Sequence, residues 1–212
     1  MNQLTPEWFA VRCGKVTASR IKDVMATVKS GESVSRKNYR AQIIAERLTG
    51  NVEPTYTNGA MQWGTDTEPL ARAAYEVTNG VMVDQVGMIL HASLDSGASP
   101  DGLVGNDGLI EIKCPNTATH IEYLLSHTVP NEYVMQMQWQ MECTGRQWCD
   151  FVSYDPRMPE SLQMLVIRVA RDESIINKIR DEVCIFLVEV DDIINKLTSI
   201  TSRQKDPAHA KL

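Results

Sequence analysis

The chain has 212 residues, 43% of them hydrophobic, and a formal net charge of −6. That is enough apolar material for one good core, and the charge excludes a protein that holds nucleic acid by bulk positive charge. No run of 18 apolar residues occurs and the opening MNQLTPEW has no apolar stretch behind positive charges, so neither a membrane span nor a secretory signal is expected, and the expected location is the cytoplasm.

In chain order, Thr5-Pro6 predicts a helix start with Pro at its first position. Thr17 or Ser19 caps a second stretch through Met25, and a third runs from Ser35 to Leu48 and stops at Gly50. Lys29 to Ser33 reads as a loop between them. Asn58 to Thr78 predicts a helix ended by Asn79-Gly80, with Pro69 breaking or kinking it and biasing Glu68 away from regular helix. From Val81 the period becomes strand-like: Val81 to Val83, Val86 to Leu90, Ala98 to Val104 and Leu109 to Lys113, the last two joined by the Gly105 to Gly108 hairpin signal. Helices are expected at Thr117 to Ser126 and Pro130 to Cys143, strands at Trp148 to Ser153 and Met164 to Ala170, and a terminal amphipathic helix at Asp172 to Leu197. The pattern predicts an α/β fold, a mixed central β-sheet flanked by helices, as one domain over residues 1–202 with a disordered tail at 203–212.

Charge is unevenly spread. Residues 1–50 carry nine Lys/Arg against four Asp/Glu (+5), and residues 51–150 carry three against thirteen (−10). A basic first quarter beside a carboxylate-rich middle fits a polyanion grip next to a cation site. The five cysteines, Cys13, Cys114, Cys143, Cys149 and Cys184, are odd in number and form no CxxC pair. They read as reduced thiols, not as a disulfide frame or a zinc site.

The segment SPDGLVGNDGLIEIKCP (Ser99 to Pro115) sets charged residues in an apolar run. Alternation along a strand puts Leu109, Glu111 and Lys113 on one face and Ile110 and Ile112 on the other, and the hairpin returns Asp101 beside them. Two carboxylates so placed repel unless a cation neutralises them, and oxygen ligands suit Mg²⁺ or Mn²⁺. Lys113 would then orient or deprotonate a water, and the set reads as metal-assisted phosphodiester hydrolysis. From the residues alone a second reading stands: a buried Glu111–Lys113 ion pair, with Asp101 capping an Asx turn and Glu68 a solvated helix residue.

SPD followed nine residues later by EIK resembles the PD-(D/E)-x-K nuclease signature. Around it stand WFAVRCGKVTAS (Trp8 to Ser19), WGTDTEPLARAAYE (Trp63 to Glu76), YVMQMQWQM (Tyr133 to Met141) and YDPRM (Tyr154 to Met158). Together they resemble the lambda-type alkaline exonucleases of phage recombination systems over about Trp8 to Ala170. The resemblance implies a restriction-endonuclease-like core and a Mg²⁺-dependent 5′-3′ exonuclease that leaves a 3′ single strand for an annealing protein. It also implies a ring-shaped homotrimer acting on double-stranded DNA ends in a bacterial host cell. It makes Glu68, Asp101 and Glu111, with the Ile112 carbonyl, the ligands of two Mg²⁺ ions, with Mn²⁺ a substitute, and makes Lys113 the catalytic lysine. Arg12, Ser19, Ser99 and Gln136 fall on positions that hold the 5′-terminal phosphate, and Lys29 on a loop that tracks a strand. His91, near a ligand position of some related nucleases, is read as a strand-end residue. A site- or structure-specific endonuclease on the same core and a non-catalytic DNA-end adaptor remain the alternatives.

Overall fold

The chain's structure, a computed structural model, describes residues 3–52 and 58–204. It begins with α1 (Pro6–Arg12), where Thr5 Oγ1 accepts from the Trp8 amide at 3.3 Å and Pro6 takes the first turn, as the sequence predicts. Then come β1 (Val16–Thr17), a 3-10 turn (Ala18–Arg20), α2 (Ile21–Val24) and α3 (Val34–Thr49), which ends on Gly50 at φ 70. α4 spans Gly59–Asn79, capped by Asn58 and stopped by Gly80 at φ 63. Five short strands follow: β2 (Val83–Asp84), β3 (Ile89–Leu90), β4 (Ser96–Ala98), β5 (Gly102–Val104) and β6 (Gly108–Lys113). α5 (Thr117–Ser126), α6 (Asn131–Thr144), β7 (Trp148–Tyr154), β8 (Met164–Ala170) and α7 (Glu173–Gln204) complete the order.

The main sheet runs β2-β5-β6-β7-β8, with β6 and β7 parallel and the other pairs antiparallel, and a small sheet runs β1-β4-β3. Ile110 and Ile112 of β6 pack with Ala71 and Tyr75 of α4, while Leu109 packs with Met137 and Met141 of α6 and with Phe151. The predicted alternation therefore holds, and it turns Glu111 and Lys113 toward α6. A separate core gathers α2, α3, α6 and α7 around Tyr39, Trp139 and Phe186. The fold is α/β, a mixed sheet flanked by helices.

Four expectations are corrected. The break predicted at Pro69 does not occur, because α4 runs unbroken through it with Glu68 inside the helix. Proline removes only the bond to the Thr65 carbonyl. Pro69 and Thr65 lie on the exposed side, while Thr67, Ala71 and Tyr75 anchor the buried side. The predicted strand Ala98 to Val104 is two strands in different sheets, β4 and β5. Pro100, which has no N–H, ends the ladder between them, so Asp101 stands at the crossing. Of the expected strands at Val81 to Val83 and Val86 to Leu90, only Val83–Asp84 and Ile89–Leu90 pair. The terminal helix is longer than predicted and reaches Gln204. It takes in the first two residues of the expected tail, and residues 205–212 lie outside the described ones.

Two glycines of this region have separate structural reasons. Gly105 carries the positive φ of the hairpin, at 53, and Arg146 Nη1 ties that hairpin to the carbonyls of Gly105 and Gly108 at 2.8 and 2.7 Å. Gly102 is needed for space, since a Cβ there would meet Val83 Cγ1 at 2.1 Å.

Candidate active site

Glu111 sits mid-way along β6 with its side chain 2% exposed, so its charge needs partners. Lys113, two residues on and on the same face, pairs with Glu111 Oε1. Gln136 Nε2 donates to Oε1 and Gln140 Nε2 to Oε2, each at 2.6 Å. Lys113 Nζ also lies 4.9 Å from the Tyr133 ring centre.

Asp101 precedes β5 by one residue, and the Gly102–Ile110 pairing puts it level with Glu111. Its Oδ2 accepts from the Ile112 amide at 2.6 Å. Glu68 comes in from α4 and pairs with Arg72 one turn along. Burial, then Glu111, then Glu68 push the Asp101 carboxyl well above its ordinary range. Burial also raises Glu68, and of its charged neighbours Arg72 lowers it while Glu111 raises it. Burial lowers Lys113, but Glu111 and Asp101 outweigh that and hold its ammonium above the usual lysine range. The fold thus brings Glu68, Asp101, Glu111, Ile112 and Lys113 into one cluster, together with Gln136.

Among the described residues no group of three or more His, Cys, Asp or Glu side chains is placed so that together they could hold a metal ion. Each carboxylate is turned onto a protein donor instead. The donor chemistry nevertheless fits a hard divalent cation: the side-chain ligands offered are carboxylate oxygens, and Asp101 and Glu68 are raised partly by the charge of Glu111. Cys114, next to Lys113, is no competitor, because burial, Glu68 and Asp101 push its thiol up to about 12.

The residues expected at the phosphate divide. The Arg12 guanidinium lies over the Trp8 ring, 4.0 Å from its centre, and burial lowers its pKa against the raising effects of Tyr39 and Glu46. Trp8 Nε1 donates to Ser99 Oγ at 2.9 Å, so Arg12, Trp8 and Ser99 form a connected wall two residues from Asp101. Ser19 is exposed on the 3-10 turn, 3.4 Å from the Thr17 hydroxyl, and α6 packs against that turn. Gln136 has its amide on Glu111. Lys29 is exposed in the loop after α2.

His91 is a strand-end residue. Its Nδ1 accepts from the Ser93 and Leu94 amides at 3.1 Å, which leaves the proton on Nε2, 3.5 Å from Glu142. Both nitrogens are engaged. The basic first quarter is largely consumed inside the fold: Arg36 and Arg40 bind Glu32 and Glu189, and Arg47 binds Asp95 and Asp191. The expectation of a general polyanion grip there is corrected to that extent. All five cysteines are free thiols.

Sequence reasoning passed over Gln140, Trp8 and Arg72. A polar pair four residues apart on an otherwise buried helix face, Gln136 and Gln140, was the available signal for the first.

Residues 7–147 match the YqaJ-like viral recombinase domain family. The crystal structure of an alkaline exonuclease (LHK-Exo) from Laribacter hongkongensis is 51% identical, with a TM-score of 0.88 over 94% of this chain and 100% of that one. LHK-Exo in complex with dAMP matches at 52% identity with the same TM-score and coverage. A phage related exonuclease from Haemophilus somnus 129PT, 18% identical over 86% of this chain and 96% of that one at a TM-score of 0.69, shares the fold. No curated protein sequence matches significantly. With the family matched across most of the chain and the identity carried over nearly all of it, the chain belongs to the YqaJ-like viral recombinase family, as a lambda-type alkaline exonuclease.

Proposed function

We propose that this chain is a Mg²⁺-dependent exonuclease that degrades the 5′-ended strand of linear duplex DNA and leaves a 3′ overhang for recombination. The observation that carries the reading is the convergence of Glu68, Asp101, Glu111 and Lys113 on one end of β6, with Asp101 raised partly by its neighbours' charge. The half-identical alkaline exonuclease supports it.

A divalent cation, two in the family reading, held by Glu68, Asp101, Glu111 and the Ile112 carbonyl would supply Lewis acidity and stabilise the leaving oxygen. Lys113, on the same face as Glu111 and paired with it, is placed to orient the attacking water and the scissile phosphate. Arg12, flat on Trp8, keeps its N–H edge for the 5′-terminal phosphate, and the hydroxyls of Ser19 and Ser99 complete that grip. Gln136 holds Glu111.

The homotrimer, the annealing-protein partner, the single domain over residues 1–202 and action in the bacterial cytoplasm belong to the same proposal and rest on the family resemblance. Among the described residues no helix is long and apolar enough to cross a membrane.

Digestion of end-labelled, 5′-phosphorylated linear duplex tests the reading. Loss of the 5′ label as mononucleotide, dependent on Mg²⁺ and absent on covalently closed circles, is the expected result. Cutting of closed circles would establish an endonuclease instead, and binding of ends without cleavage at any Mg²⁺ concentration an adaptor.

A further inference from the structure

Glu111 is held on both oxygens, and the two holds differ. Oε1 faces Lys113 and Gln136 at the half-exposed side of the cluster. Oε2 accepts from Gln140 Nε2 at 2.6 Å, and Gln140 is fully buried. Gln136 and Gln140 are one helical turn apart on α6, so one helix face offers an amide to each carboxylate oxygen. The carbonyl end of Gln140 meets only the weak donor Cys149 Sγ, at 3.9 Å. Its amide orientation is therefore set by Glu111. Buried as it is, Gln140 does not reach a DNA strand, and an apolar side chain of the same length would fill its space but leave Glu111 Oε2 without this donor.

We infer that Gln140 is a positioning residue that fixes the Glu111 carboxylate for its divalent cation, an inference that rests on the reading of Glu111 as a ligand given above. A carboxylate rotates about its last bond, and a fixed donor on Oε2 sets the plane in which its remaining lone pairs point. The donor is a neutral amide, so it orients the carboxylate without cancelling its charge. At Asp150 and Glu142, where no cation is called for, the fold uses arginines instead. Outer-shell hydrogen bonds of this kind typically govern cation affinity.

The test is Gln140→Met, of similar length and without the donor. Mg²⁺ and Mn²⁺ binding are measured by calorimetry on the full chain without DNA, beside thermal unfolding of the cation-free protein. The expected result is a dissociation constant raised about 10- to 100-fold, an equal rise in the Mg²⁺ needed for half-maximal cleavage, and a kcat that returns toward wild type at saturating Mg²⁺, together with a lower midpoint for the cation-free protein because Oε2 loses its donor. Unchanged cation affinity, whatever the midpoint, would make Gln140 merely structural and overturn the inference. Should Gln140→Met fail to fold, Gln140→Asn, which keeps an amide too short to reach Oε2, carries the same expectation and the same contrary result. A wild-type chain that binds neither ion overturns the ligand reading itself, which is distinguishable from a wild type that binds while the variant binds equally well.

Discussion

Two sets of buried acids in this molecule are treated in opposite ways. Asp150, Asp155 and Glu142 are each matched by arginine: Arg168 binds both oxygens of Asp150 at 2.8 and 2.9 Å, and Arg157 does the same for Asp155 at 2.7 and 2.9 Å. Arg171 and Arg180 share Glu142 at 2.6 Å. The Arg157 hydrogen bonds, ahead of that from Thr117, hold Asp155 down to about 2. For Glu142, burial is outweighed by Arg180 and Arg171, and its pKa falls. Along β6 the direction reverses, and Asp101 and Glu68 are pushed up by burial and by the charge of Glu111. A fold that supplies arginines at these three acids, and leaves Asp101 with a backbone amide and Glu111 to share a single lysine, is keeping negative charge for something else.

The largest expected effect separates the two sets outright. Asp101→Asn, Glu111→Gln and Lys113→Ala should each lower cleavage at least about a hundredfold while binding of duplex persists, since they act on the chemistry. Asp101→Asn should also leave the cation-free protein at least as stable as wild type, because it removes a repelled charge. A fall in thermal midpoint comparable to that of the arginine-bound acids would erase the distinction.

The next effect sharpens the division between chemistry and end recognition. A charge-assisted contact to a terminal phosphate corresponds to about a ten- to hundredfold rate preference for 5′-phosphorylated over 5′-hydroxyl duplex. Arg12→Ala should remove most of it and leave divalent-cation affinity unchanged. Competition between the two substrates reads this directly, and a preference that survives would move end recognition to Ser19 and Ser99.

How much of this was legible beforehand follows from periodicity. The two faces of β6 were readable because strand side chains alternate strictly, and Ile110 and Ile112 could face only an apolar neighbour. Glu68 was not readable from local pattern: its context is a helix with an internal proline, and only the packing of α4 on the sheet brings it to Asp101. The division of Ala98 to Val104 between two sheets was hidden because it is set by distant partners, β1 and β3 for one half and β2 and β6 for the other. The basic first quarter misled because a charge count does not say that Arg36 and Arg40 face Glu189 on α7, about 150 residues along the chain.

At the arginine-bound acids the prediction is one of stability. The folded-state pKa of Asp155 lies below its unfolded value, so its contribution is full above about pH 4 and lost as pH falls toward about 2. Asp155→Asn should lower the thermal midpoint by a few degrees at neutral pH, with the difference from wild type closing over that window and kcat little changed. A constant difference across the window would detach the effect from ionisation. The smallest effect concerns Arg36 and Arg40. Replacing both with Gln should leave the salt dependence of DNA binding unaltered, since their charges are spent on Glu32 and Glu189, whereas a flatter slope would return them to the DNA.

The central claim, that the three carboxylates gathered at β6 carry more negative charge than Lys113 and Arg72 offset because they await a divalent cation, is tested most directly by thermal unfolding against Mg²⁺ concentration, with wild type, Asp101→Asn and Asp155→Asn side by side. Selective binding to the folded state adds about 2.7 kcal/mol at a hundredfold excess over the dissociation constant. Wild type and Asp155→Asn should show this saturable rise and Asp101→Asn should not. No rise in wild type, or the same rise in Asp101→Asn, would contradict the account.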